Sequence, residues 1–374
     1  MKFRLHLAAA ATALFLVACG GGDPAITSVK VMGDSLADSG TFGLKFTVQG
    51  TAATGSGSTP IWPELVAHGV GVDGPCAFYR FTGTSFNTST GCTNYAIGGG
   101  RINNASNAQD PRSITLQLQQ AAQVHGSYKS TDLLLIDGGG NDAADLAGAY
   151  LGATSEAGLL AYRNLLTTVL TAVQVDTLLG LANGTALAGG AYMQALADRF
   201  FDNIKASALD KGASKVVVLN MPDITLTPRF GAVLGAIAQT AGAAQAQQAQ
   251  ALFRQWIAAF NTQLAARSAG NDKVAVVDFY AALSDQVSRP AAYGLSNVTA
   301  TACPVTGVGS DGLPSYTFAT CTATSLSANP PAGVSGGANW WKSYLFSDSF
   351  HPTPYGHELL ANAVSAAVRA RNWN

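Results

Sequence analysis

The chain has 374 residues, 48% of them hydrophobic and only 11% charged, and carries a formal net charge of −1. That length allows one large domain or two modest ones, with ample apolar content for a sizeable core. No basic field points to nucleic acid, and a charged fraction far below the roughly 25% of ordinary soluble domains goes with an excess of Ala and Gly.

Lys2 and Arg4 precede an apolar run, Leu7 to Ala18, that is too short to span a bilayer as a mature helix. The run ends in Leu16-Val17-Ala18-Cys19 and is followed by Gly20-Gly21-Gly22. This resembles a bacterial lipoprotein signal, with residues 1–18 removed, Cys19 lipidated and residues 19–27 left as a Gly-rich tether. An ordinary secretory signal cleaved near Ala18 is the alternative. Either one exports the protein. The lipoprotein reading places it at the outer membrane of a Gram-negative bacterium, facing the periplasm or the surface and held to the membrane by its lipid. The other reading makes it secreted.

Four cysteines remain: Cys76, Cys92, Cys303 and Cys321. Local pairing, Cys76 with Cys92 and Cys303 with Cys321, is the simplest of three connectivities. Each bridge would close a short Gly/Ser/Thr-rich loop with little core of its own. A zinc site is the alternative, but there is no C-x-x-C and no His at ligand spacing.

Ser28–Met32 reads as a buried strand that runs into Gly33-Asp34-Ser35. Small and polar residues follow that could open a helix. A serine at such a turn is placed to be a nucleophile, or it simply caps the helix. Residues 47–60 read as a loop. A helix starts at Trp62, with Pro63 tolerated in its first turn. Thr93–Ile97 is a short strand ended by Gly98-Gly99-Gly100, and Ile114–Val124 has helical spacing.

Asp132–Asp137 is a continuous apolar run suited to a central parallel strand, and it ends in Gly138-Gly139-Gly140-Asn141-Asp142. Ala- and Leu-rich helical sequence follows to about 208. Lys215–Asn220 is the fourth strand. Phe230–Ser268 is mostly helical, with a Gln-rich patch at 243–251 read as a solvated face. Val274–Phe279 is the fifth strand. From about 281 to 344 periodicity fails, and a last helix runs from Tyr355 to Arg371. Strands alternating with helices imply a parallel sheet covered on both faces, with sites at the carboxyl ends of its strands.

Before the last helix comes Asp348-Ser349-Phe350-His351. Of five histidines, only His351 has an acid three residues before it, a spacing that can bring a carboxylate to Nδ1 as in a Ser-His-Asp triad. Asp348 capping the last helix is the alternative. His357 reads as structural. Asn141 is the candidate side-chain oxyanion donor and Gly99 the backbone one, although Asn141 could also be a turn residue. Gly333-Val334-Ser335-Gly336-Gly337 matches G-x-S-x-G, but prolines 330 and 331 precede it, so it reads as loop.

Four blocks in order therefore resemble the SGNH/GDSL hydrolase family: Gly33-Asp34-Ser35-Leu36, Asn94 to Gly99, Gly139-Gly140-Asn141-Asp142 and Asp348-Ser349-Phe350-His351. Asp38-Ser39-Gly40 and Leu219–Pro228 are similar to stretches of its phospholipase/lecithinase/haemolysin-like branch. The resemblance implies an α/β fold, a flavodoxin-like three-layer α/β/α sandwich on a five-stranded parallel sheet of order 2-1-3-4-5. It implies one hydrolase domain over 28–374, with a helical insert at about 143–208 and a disulfide-bearing insert at about 281–344. It further implies Ser35 as nucleophile, His351 as base and Asp348 as its partner, with the Ser35 amide, Gly99 and Asn141 as oxyanion hole. Gly98 or Gly99 is the open choice. The expected substrate is a small-molecule or lipid ester, hydrolysed without metal or cofactor. A phospholipase A, a lipid acyltransferase or a carbohydrate O-acetylesterase would use the same residues, and a non-catalytic surface lipoprotein is the contrasting reading.

Overall fold

The computed structural model describes residues 24–50 and 59–373. The leader, Cys19 and most of the tether lie outside the described residues. In chain order the elements are β1 (Ser28–Met32), α1 (Trp62–Gly69), β2 (Tyr79–Phe81), β3 (Phe86–Thr88), α2 (Ile114–His125), β4 (Asp132–Ile136), α3 (Gly140–Gly152), α4 (Glu156–Leu166), α5 (Ala172–Leu179) and α6 (Gly184–Ser207). They continue with β5 (Val216–Leu219), α7 (Pro228–Ala241), α8 (Ala243–Ser268), β6 (Val274–Val277), α9 (Phe279–Ser288), β7 (Asn297–Thr301), β8 (Gly307–Val308), β9 (Pro314–Ser315), α10 (Ala323–Ala328), β10 (Tyr344–Phe346) and α11 (Pro354–Ala370).

Among the described residues the central sheet has four parallel strands in the order β1-β4-β5-β6. The continuous apolar runs behave as strands buried on both faces. In β4, Leu133 and Leu135 face one core while Leu134 and Ile136 face the other. In β5 the same alternation sends Val216 and Val218 one way and Val217 and Leu219 the other. One core takes Leu118 of α2, Phe200 of α6 and Phe260 of α8. The other takes Val66 of α1, Leu283 of α9 and Val364 of α11. Fully burying each such side chain contributes roughly 1.5–3 kcal/mol.

The second of the five expected strands, Thr93–Ile97, is not formed. The segment lies beside β1, where Val31 N–H donates to Thr93 O and Tyr95 N–H to Val31 O, but only Asn94 forms a bridge with Val31. The Asn94 side chain is the reason. Its amide donates to Ala37 O and its carbonyl accepts from Ala96 N–H, so a local turn takes the place of a regular ladder. No helix follows Ser35 either. Residues 34–44 are turns, because Asp38 Oδ1 accepts the N–H of both Gly40 and Thr41.

The late segment is more ordered than its composition suggests. It opens with α9, and β7 pairs in parallel with β10. Cys303–Cys321 and Cys76–Cys92 are both disulfides. The first sits in a core of its own with Val48, Leu326, Trp340, Trp341 and Tyr344, contrary to the expectation that these loops lack one. Gln245, Gln247 and Gln248 are exposed on α8, as a solvated face requires.

Candidate active site

Ser35 follows β1 at the carboxyl edge of the sheet, and three contacts fix its turn. Gly33 N–H donates to Gln117 Oε1 at 2.8 Å, Asp34 N–H to Asp137 Oδ1 at 3.0 Å, and Leu36 N–H to Asp34 Oδ1 at 3.0 Å. Gly33 cannot carry a side chain, since a Cβ there would stand 1.5 Å from Asp137 Oδ1. Both carboxyls are pushed up by burial, Asp137 strongly and further by its neighbour Asp34.

The His351 turn is closed by Ser347 N–H donating to His351 O at 2.7 Å and Ser347 Oγ–H to Pro352 O at 2.9 Å. Asp348 does not cap α11. Thr353 does, accepting Gly356 N–H at 3.1 Å, with Pro354 at the first helical position. Asp348 instead accepts the N–H groups of Phe350 (2.8 Å) and His351 (2.6 Å) on Oδ1, and both its oxygens lie 2.9 Å from His351 Nδ1. Burial penalises its charge, but the facing imidazole and the two N–H donors outweigh that and hold the carboxyl below its ordinary value. The far side of the ring completes the line, with His351 Nε2 at 2.7 Å from Ser35 Oγ across 316 residues of sequence.

An anion at Ser35 would meet unpaired donors. Ser35 N–H and Gly99 N–H donate to no protein acceptor among the described residues, whereas Gly98 N–H is held by Asp38 Oδ2 at 2.8 Å and Gly100 N–H by Ile97 O at 2.9 Å. That distribution distinguishes Gly99 from Gly98. Arg101 Nη1 holds the Gly99 carbonyl at 2.7 Å while its guanidinium pairs with Asp145. Asn141, at the start of α3, donates one amide hydrogen to Gly100 O at 3.0 Å and has a second to give. Asp142 beside it accepts Ile102 N–H and Asn103 N–H and is pushed up to about 6 by burial.

Among the described residues no cluster of side chains could hold a metal ion. With a serine in contact with an Asp-backed imidazole and N–H donors left unpaired at Ser35 and Gly99, the arrangement can form and break an acyl bond. A family model described as GDSL-like lipase/acylhydrolase matches residues 29–364. The chain belongs to that family. A similar protein is Lipase 1 of Photorhabdus luminescens, 24% identical over 373 residues, in a match covering 92% of this chain and 50% of the relative. The chain thus spans about half the length of that relative.

In this GDSL-family chain the G-x-S-x-G stretch at 333–337 stays in turns and the start of a 3-10 helix, outside the site. His357 is fully buried, and its two ring nitrogens have no partner, so burial drives it down to about 3. Gln117, Asp137 and Arg101 are supports that sequence reasoning missed. Asp137 sits between a strand and a Gly run, which is a weak signal. Gln117 lies within a helical pattern and carries none.

Proposed function

We propose that this chain hydrolyses carboxylic esters through an acyl-enzyme on Ser35. Ser35 Oγ attacks the carbonyl carbon as His351 Nε2 takes its proton. The oxyanion is stabilised by Ser35 N–H, Gly99 N–H and the Asn141 amide. Collapse breaks the bond to the alkoxide, which takes the proton from His351 and leaves as the alcohol. Water, deprotonated by the same imidazole, then releases the acid and restores Ser35. The observation that carries the reading is the 2.7 Å contact of Ser35 Oγ with the imidazole that Asp348 backs.

The cavity that reaches Ser35 is apolar but small, about 50 Å³, walled by Leu219, Ile224, Phe279, Leu283 and Phe346, so it suits a short apolar acyl group, and a longer lipid chain would extend beyond it. The lipobox-like Leu16-Val17-Ala18-Cys19 supports export and a lipid anchor beside a membrane. No helix among the described residues is long and apolar enough to cross a membrane.

A fluorophosphonate probe tests the nucleophile. Wild type should be labelled and Ser35→Ala should not; equal labelling would reject the reading. Asn141→Ala should lower kcat by roughly 10²–10³-fold with little change in KM. A p-nitrophenyl ester series run beside a phospholipid assay sets the acyl preference, and activity confined to sugar acetates would overturn the lipid assignment.

A further inference from the structure

In acylation the leaving alkoxide must take its proton from His351 Nε2, so its oxygen has to come within hydrogen-bond reach of that atom. Side chains that flank the imidazole outside the acyl cavity therefore border the alcohol half of the substrate. Three partly exposed phenyl rings flank the imidazole: Phe350, which also lines the acyl cavity, and Phe46 and Phe318, which do not. Phe46 lies 5.1 Å from the His351 ring at 32°, Phe318 lies 5.7 Å from it at 73°, and the two are 5.6 Å apart, edge to face.

The wall continues outward. Phe42 is 6.2 Å from Phe46, and it meets Phe81 at 5.5 Å and Phe86 at 6.2 Å, ending at Phe81, which is 37% exposed. Phe81 and Phe86 lie inside the Cys76–Cys92 loop and Phe318 inside the Cys303–Cys321 loop, so both disulfide loops contribute to one aromatic surface that ends at the catalytic imidazole. The backbone makes room for it. A Cβ on Gly98 would stand 2.2 Å from the Phe46 ring. Apolar rings left partly open beside a charge-relay imidazole are costly to leave wet and favour an apolar cover. Their edge-to-face packing presents a ridged wall instead of the flat ring face on which a sugar stacks.

We infer that this wall, with Phe318 at its catalytic end, is the leaving-group site, and that it selects esters of apolar, alkyl or aryl alcohols. The inference rests on the acyl-enzyme reading above and adds which side of Ser35 takes which half of the ester. The Cys303–Cys321 loop serves the alcohol side, and α9 serves the acyl side.

The test holds the acyl group constant and varies the alcohol. Acetates of methanol, hexanol, benzyl alcohol and a monosaccharide are compared on the full chain, wild type and Phe318→Ala, with pre-steady-state kinetics separating acylation from deacylation. Deacylation starts from the same acetyl-enzyme whatever the alcohol was. Expected is an acylation rate constant over KM at least about tenfold higher for the hexyl and benzyl esters than for the methyl ester. Phe318→Ala should remove most of that preference, slowing acylation by the hexyl and benzyl esters more than deacylation, and Phe318→Leu should restore part of it. Equal loss for all four esters, a deacylation slowed in Phe318→Ala as much as acylation by the hexyl ester, or a preference for the sugar ester in wild type would overturn the inference. A wild type that takes no fluorophosphonate label and cleaves no ester would instead sink the acyl-enzyme reading itself, so the two failures are told apart.

Discussion

The two disulfide loops close rings of almost equal size, with sequence separations of 16 and 18, yet they are built differently. Cys76 is exposed, and its loop holds a hairpin with three residues in each strand, most of them exposed. Cys303 and Cys321 are each 1% exposed and lie among two buried tryptophans, a tyrosine and a leucine. Chain entropy alone assigns each bridge about 3 kcal/mol, whatever surrounds it. Ring size therefore says nothing about the difference between the loops, and packing decides it. The buried bridge belongs to a small core that backs onto the His351 turn, where Cys303 N–H donates to Ser347 O at 2.7 Å. The exposed bridge pins a surface hairpin.

The largest test breaks the core without touching the bridge. Trp340 is 4% exposed and its indole N–H donates to Leu326 O. Trp340→Ala should cost about 3–5 kcal/mol in urea unfolding, and a cost below about 1 kcal/mol would mean that the late segment is not packed as a unit. Next come the bridges themselves. Cys303→Ala with Cys321→Ala should lose about 3 kcal/mol of chain entropy together with packing and should also lower ester turnover, because Phe318 and the His351 turn lean on that loop. Cys76→Ala with Cys92→Ala should lose no more than about 3 kcal/mol and keep most of its turnover on a methyl ester. Equal effects on turnover from the two pairs would erase the distinction.

The smallest effect sharpens the comparison through pH. His357 lies in α11, which packs against β10. Its folded pKa is depressed from 6.5 to about 3 by burial. The neutral ring is fully stabilising above 6.5, and that stability is lost as pH falls toward 3, because the unfolded chain gains a proton that the folded one does not. At pH 5 the loss relative to pH 8 is about 2 kcal/mol. His357→Leu should flatten this part of the stability profile, as followed by urea midpoints across pH 5–8. An unchanged slope would show that the ring is not a buried neutral group.

Much of the candidate site was legible because it consists of short blocks at strand ends. Apolar runs such as Asp132–Ile136 fold as strands almost wherever they are buried on both faces, so the residues just after them reach the carboxyl edge. The Asp348-to-His351 spacing was legible for a similar local reason: three residues span a single turn. The strand expected at Thr93–Ile97 failed because Asn94 spends its side chain on the backbone beside it. The helix after Ser35 failed because Asp38 does the same for Gly40 and Thr41. Both residues read as ordinary polar positions until their partners are known.

The residue types and local spacings by themselves determined the chemistry on offer: a serine after a strand, an acid-backed histidine, Gly-rich corners and four export-compatible cysteines. Tertiary structure alone decided three things. It brought Ser35 and His351 into contact, a contact across 316 residues that no local pattern encodes. It left Gly99 N–H unpaired by tying Gly98 to Asp38 and Gly100 to Ile97, a matter of hydrogen-bond bookkeeping among distant atoms. It also turned the Gly/Ser/Thr-rich late segment into a packed loop that lays Phe318 on the His351 ring, because burial against partners from elsewhere, not composition, settles whether such a segment orders.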